Sequence, residues 1–200
     1  MTPSVASIRS EAPPARARQI AELFSSLALP EGRLSVSDLE EVVASVASRI
    51  ELFEDLVVHD GQGWSLHLFV NESFGVKIES WGENHLIDWH DHGGSSGAFA
   101  VISGTLVEQY RSDDFVGIEC RQLRVGDLAS FGADHVHDVY RSLAPALSVH
   151  AYSPPLSAMT HYDHRAHGFV ALELVPETLP FDTDLTSSER SLDPGFEATS

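Results

Sequence analysis

The stretch Asp88-Trp89-His90-Asp91-His92-Gly93-Gly94-Ser95-Ser96-Gly97 decides the reading of this chain. It has the form of a short strand running into a tight, Gly-rich turn. On an extended strand the side chains at i and i+2 leave by the same face, so His90 and His92 stand close enough to share one metal ion. A third histidine later in the chain would complete a cap over one side of that ion and leave other coordination positions open. A closed structural zinc site wants four ligands, usually with thiolates among them, so the pair points to chemistry rather than scaffolding.

Outward from this stretch, the texture from about Trp64 onward is that of a β protein. Runs rich in Val, Ile, Phe and Tyr alternate with turn clusters: Asn71-Glu72-Ser73, Gly82-Glu83-Asn84, Gly93 to Gly97, Ser112-Asp113-Asp114, Gly126-Asp127 and Gly132-Ala133-Asp134. Turn signals roughly 8–12 residues apart predict an antiparallel sandwich or barrel. Upstream, Arg16 to Leu29 and Ser35 to Ser48 are helical by pattern. Ile20, Leu23, Phe24 and Leu27 recur at helical spacing, as do Leu39, Val42, Val43 and Val46. Ser37 and Glu40 have the spacing of a capping box for the second helix. The expected organisation is a loose arm (1–13), a helical segment packed on the barrel (14–50), a β domain (51–175) and an extended tail (176–200).

The 200 residues, 42% apolar, suffice for one domain with a sizeable core. Acidic residues outnumber basic ones 30 to 12, for a formal charge of −18. That balance excludes a nucleic-acid partner, which needs a basic footprint. Cys120 is the only cysteine, so an intrachain disulfide and a Cys-rich zinc module are both excluded. With no long apolar run, a membrane partner is not expected, and the default location is a reducing cytoplasm. The expected partner is a small molecule, with the protein a monomer or homodimer.

Eleven histidines are present. The third ligand could be His135 or His137, which share one face if they lie on one strand. Asp91 and Asp138 alternate to the opposite faces of their strands. Glu79, Glu83 and Asp88 read as surface charges, and His161-Tyr162-Asp163-His164 as a solvated loop near a pocket mouth. Ser148, His150 and Tyr152 lie at i, i+2 and i+4, hence on one strand face, spaced for a hydrogen-bonded relay.

Two groups of residues resemble the paired motifs of the cupin superfamily: His90, His92, Gly97 and Gly104 in the first, Gly126, Gly132, His137 and Arg141 in the second. Gly97 stands where those motifs carry a carboxylate ligand, Gly132 where proline is usual and Arg141 where asparagine is usual. Together with Trp81-Gly82-Glu83 and Ser148-Val149-His150-Ala151-Tyr152-Ser153-Pro154-Pro155, the pattern resembles the cysteine dioxygenase family of cupins, bacterial type, over Trp64 to Asp163. The resemblance implies a mostly β fold, a cupin antiparallel barrel (double-stranded β-helix) with N-terminal helices. It implies a mononuclear non-haem Fe(II) enzyme that uses O2 to oxidise a small, cysteine-like thiol to a sulfinic acid. By position, His90, His92 and His137 would hold the iron, with Tyr152 beside it and Ser148 and His150 supporting that tyrosine.

Gly97 also stands where mammalian-type members carry a cysteine crosslinked to the tyrosine, so no crosslink is expected here. The family's carboxylate-binding arginine has no counterpart on the strand before Trp81. His67 falls nearest its place, with Arg141 or Arg165 as other cations and Trp89 and Trp64 as candidate apolar walls. That gap keeps two other classes open: a cupin metalloenzyme cleaving C–S or C–C bonds, and a non-catalytic ligand-sensing cupin.

Overall fold

A computed structural model describes residues 14–52, 63–82, 86–112, 117–141, 145–165 and 168–177. The predicted arm, Glu83 and nearly all of the predicted tail lie outside these residues. Two helices come first, α1 (Pro14–Ser26) and α2 (Val36–Ala47), then a 3-10 turn at Ile50–Leu52. Among the described residues eleven strands follow and form two antiparallel sheets, and the fold is mostly β, as the turn spacing predicts. The five-stranded sheet is built from β1 (Trp64–Val70), β2 (Gly75–Trp81), β9 (Ala146–Ser153), β4 (Ser96–Ser103) and β7 (Leu128–Phe131), in that order. The six-stranded sheet is ordered β11 (Gly168–Pro176), β10 (Ala158–Arg165), β3 (Leu86–His90), β8 (His137–Arg141), β5 (Thr105–Arg111) and β6 (Ile118–Arg124). Apart from the hairpins β1–β2, β5–β6 and β10–β11, neighbours in these sheets come from distant parts of the chain, as in a double-stranded β-helix. Among the described residues no helix is long and apolar enough to cross a membrane.

The helices lie where their apolar stripes demand. Leu39, Val42, Val43 and Val46 of α2 are buried, with Leu23 and Phe24 of α1 in the same cluster. The side chain of Ile20 lies outside the described residues. The cap of α2 differs from the sequence expectation. Ser35 is the N-cap, accepting from the Asp38 amide at 3.2 Å while Asp38 Oδ2 accepts from the Ser35 amide at 2.8 Å. Ser37 already lies inside the first turn, and Glu40 instead accepts a 2.6 Å hydrogen bond from Ser130 Oγ on β7. Asp38, a shorter carboxylate, therefore does the reciprocal capping.

Strand alternation divides the five-stranded sheet into two unlike faces. Val76, Ile78, Ala98, Ala100, Leu147, Val149 and Ala151 pack with the helices in one apolar cluster. Trp81, Phe99, Val101, Phe131, Ala146 and Tyr152 face the six-stranded sheet, with Leu106, Leu123 and Val139 in a second cluster. This inner space holds the site. The His161-Tyr162-Asp163-His164 segment is part of β10 rather than a loop, and β11 ends at Pro176, the residue from which the tail was expected.

Candidate metal centre

His90 and His92 flank the end of β3, and β3 pairs with β8 so that His90 lies opposite His137. That single register brings the three imidazoles together, although His137 is remote in sequence. All three are buried. His137 Nε2 lies 3.2 Å from His90 Nε2 and 3.1 Å from His92 Nε2. The opposite ring nitrogens fix the tautomers. His90 Nδ1 donates to the Asp88 carbonyl at 2.8 Å, and His137 Nδ1 donates to Glu108 Oε1 at 2.7 Å. Their protons are thus committed away from the centre, and bare Nε2 lone pairs face it. Burial, then the charge of the neighbouring imidazoles, pushes the His90 and His92 pKa values well down, so these rings are neutral. Three neutral nitrogen donors around one point fit a divalent transition metal far better than they fit one another.

Glu108 escaped the sequence reading. It sits fully buried on β5, where Oε1 also accepts from His135 Nε2 at 3.1 Å and Oε2 accepts from Arg121 Nε. Burial alone would raise its pKa, but the His135, His137 and Arg121 bonds outweigh this and hold it well below the usual range. Glu108, His135 and His137 also lie close enough together to take a cation. Arg121 already neutralises that carboxylate, however, so a second cation there would meet a guanidinium.

A polar chain runs along the inner face of β9. Trp81 Nε1 donates to Ser148 Oγ at 2.8 Å, Ser148 Oγ lies 2.7 Å from His150 Nε2, and His150 Nδ1 lies 3.1 Å from Tyr152 Oη. Phe99 stacks on the His150 ring at 5.0 Å. The Tyr152 ring lies 5.5 Å from that of His92, centroid to centroid. Across β4, Gly97 pairs with Tyr152 in register. A Cβ there would collide with the Phe131 ring and lie 3.1 Å from Tyr152 Cδ1, so the position admits no side chain without repacking Phe131. Cys120 is exposed on β6, away from this face.

The chain belongs to the cysteine dioxygenase type I family: residues 1–165 match it. The cysteine dioxygenase type 1 proteins of Rattus norvegicus and Homo sapiens are each 31% identical to it over 105 residues, which is 48% of this chain and 52% of theirs. The protein from Bos taurus is 30% identical over the same length. The match thus spans about half the length of these curated relatives. Among solved structures, the chain is similar to the TT1209 protein of Thermus thermophilus, with a TM-score of 0.44 and 20% identity over 52% of this chain and 94% of that one. A double-stranded beta-helix protein from Klebsiella pneumoniae gives a TM-score of 0.42 and 18% identity over 58% of this chain and 90% of that one.

Within this member of the cysteine dioxygenase type I family, the candidate substrate-binding residues divide. His67 faces the inner space on β1, its Nε2 3.9 Å from Glu177 Oε1. Trp89 does not reach the site. It alternates with His90 to the outer face of the six-stranded sheet and packs on Phe169 and His164, at 4.9 and 5.6 Å between ring centroids. Arg141 is also remote. It ends β8 four residues beyond His137, about 13 Å along the strand, and its Nε donates to the Gly82 carbonyl at 2.8 Å. Arg165 is exposed and paired with Asp163. Glu79, read as a surface charge, is buried and 2.7 Å from Lys77 Nζ, which in turn lies 5.6 Å from the Tyr152 ring centroid. Asp91 accepts from the Gly93 and Thr160 amides and from Tyr162 Oη, which pins the turn after His90 to β10.

Proposed function

We propose that this protein is a mononuclear iron(II) thiol dioxygenase that converts a small thiol to a sulfinic acid. The observation that carries the reading is the convergence of three buried, neutral imidazoles beside Tyr152, in a member of the cysteine dioxygenase type I family. His90, His92 and His137 would hold the metal, and iron(II) bound there would supply an open face on which thiolate and O2 meet. In the overall change both atoms of O2 are added to sulfur. The sulfur gives up four electrons, the O2 takes them, and the thiol proton stays with the product.

The rest of the chemistry belongs to the polypeptide. The Trp81 indole can only donate, so it occupies an acceptor position on Ser148 and leaves the Ser148 hydroxyl proton for His150 Nε2. His150 then carries its proton on Nδ1 and donates toward Tyr152 Oη. The Tyr152 proton is not used in that bond and is left for another acceptor. Burial, with the nearby Lys77 charge opposing it, raises the Tyr152 pKa, so the group is a neutral phenol. It is a hydrogen-bond donor aimed beside the histidines, with a relay behind it that can steady the oxygen when the proton is lent. Phe99, Phe131 and Leu156 close the surroundings against water.

The test is anaerobic loading with iron(II), followed by O2 uptake against cysteine, cysteamine, 3-mercaptopropionate and mercaptosuccinate. One O2 consumed per sulfinate formed is the expected result. Silence across the panel, with iron bound at about one equivalent, overturns the reading.

A further inference from the structure

The wall of the pocket next to Tyr152 carries an unusual charge arrangement. Lys77 on β2 lies opposite His67 on β1 and His150 on β9, and alternation directs it to the inner space. Its Nζ is 2.7 Å from Glu79 Oε1 on the same strand and 3.3 Å from Glu177 Oε1. Glu177 arrives from the other sheet, just past the end of β11, where its amide is tied to the Ser157 carbonyl at 2.8 Å. Lys77 and Glu79 are both buried, and Glu177 is only slightly exposed. Burial and the Lys77 charge lower the His67 pKa, so that imidazole adds no second cation.

The count here is one ammonium against two carboxylates. Among the described residues, the arginines of the barrel and its rim are engaged elsewhere: Arg33 on the Gly94 carbonyl, Arg111 on the Asp134 carbonyl, Arg121 on Glu108 and Arg141 on the Gly82 carbonyl. A carboxylate brought to this wall would meet two others already sharing the Lys77 ammonium. Screening inside a barrel is weaker than in bulk water, so that repulsion opposes a carboxylate here. An incoming ammonium would instead complete an alternating set of two cations and two anions. The Tyr152 ring separates this charged wall from the histidines, 5.6 Å from Lys77 Nζ and 5.5 Å from the His92 ring. A small thiol held at the histidines would lie within the field of this charged wall, across that ring.

We infer that the pocket selects thiols bearing an ammonium and no carboxylate, that is, short aminothiols, with Glu177 as the specificity-determining residue. The inference rests on the thiol dioxygenase reading above and names its substrate class. The experiment is anaerobic calorimetry of the iron(II)-loaded full chain with four probes: cysteamine, 3-mercaptopropionate, cysteine and uncharged 2-mercaptoethanol. Cysteamine is expected to bind about tenfold or more tighter than either carboxylate thiol. Glu177→Gln should erase most of that preference while leaving 2-mercaptoethanol within about twofold of its original affinity. Tighter binding of 3-mercaptopropionate or cysteine by the unaltered protein overturns the inference and leaves the dioxygenase reading standing, with Lys77 as the carboxylate partner. Binding of no thiol at all removes both. The unaltered protein alone decides the order of preference, so a poorly folding variant does not blunt the test.

Discussion

The two faces of the five-stranded sheet are made by the same strands and have almost opposite composition. On β9, Leu147, Val149 and Ala151 face the helices, while Ser148, His150 and Tyr152 face the barrel interior. The helix face is mainly apolar, with Ser130 and Ser153 hydrogen-bonded to Glu40 and to the Leu34 amide, and it is held chiefly by contact. The inner face buries imidazoles, an ammonium and carboxylates, each of which costs free energy unless a neighbour satisfies it. The satisfying neighbours are present: Trp81 for Ser148, Ser148 for His150 and Glu79 for Lys77, and Glu108 does the same for His137 on the six-stranded sheet opposite. The difference teaches that one face maintains the fold and the other spends stability to hold polar groups in place. If so, substitutions one residue apart should separate stability from metal and substrate chemistry.

The sharpest way to break that comparison is at the histidines. His137→Ala is expected to reduce bound iron from about one equivalent to under a tenth, since two imidazoles remain where three are needed. His135→Ala should retain most of the iron, because His135 Nε2 is turned toward Glu108 and away from the three-His centre. Metal analysis after gel filtration reads both. The reverse outcome would move the ion to the Glu108, His135 and His137 group.

A matching substitution on the helix face should do the opposite. Leu39 of α2 is completely buried against the sheet. Leu39→Ala is expected to cost about 2–5 kcal/mol of stability, through lost transfer energy and the cavity left behind. Denaturant titration measures that loss, and iron stoichiometry in the folded protein should not change. If iron falls in proportion to stability, the two faces are not independent.

The sequence made part of this architecture readable and concealed the rest for physical reasons. The i, i+2 spacing of His90 and His92, and the Ser148, His150 and Tyr152 series, depend only on strand alternation, so their shared faces could be read directly. The pairing of His90 with His137 is a long-range register, which the motif spacing of a known family supplied and local pattern did not. Glu79 was misread because β2 is covered on both sides. With Val76 and Ile78 on the apolar phase, Lys77 and Glu79 look solvent-facing by period, yet their phase is the barrel interior. Glu108 did leave a signal: it shares the phase of buried Leu106 on β5, where a carboxylate is out of place unless several donors hold it. Trp89 failed for the converse reason, since alternation with a correctly placed His90 necessarily puts it outside. The capping box moved because only the true start of α2, not the spacing of Ser37 and Glu40, decides which serine is the cap.

The finest test uses neighbours on β9 that point to opposite faces. Ser148→Ala removes the acceptor of the Trp81 indole and the partner of His150 Nε2, leaving buried polar groups without a bond, at about 1–3 kcal/mol. Val149→Ala loses buried methyl groups on the helix face, a cost of similar size. The two variants should therefore unfold at comparable denaturant concentrations and retain iron equally. They should differ in turnover. Without Ser148 nothing fixes the proton of His150 on Nδ1, so Tyr152 loses its oriented support and kcat is expected to drop about tenfold or more. Val149→Ala leaves the relay intact and should keep kcat within about twofold. Equal kcat values in the two variants would mean that Ser148 serves packing alone, and that the inner face of β9 is no more specialised than the outer one.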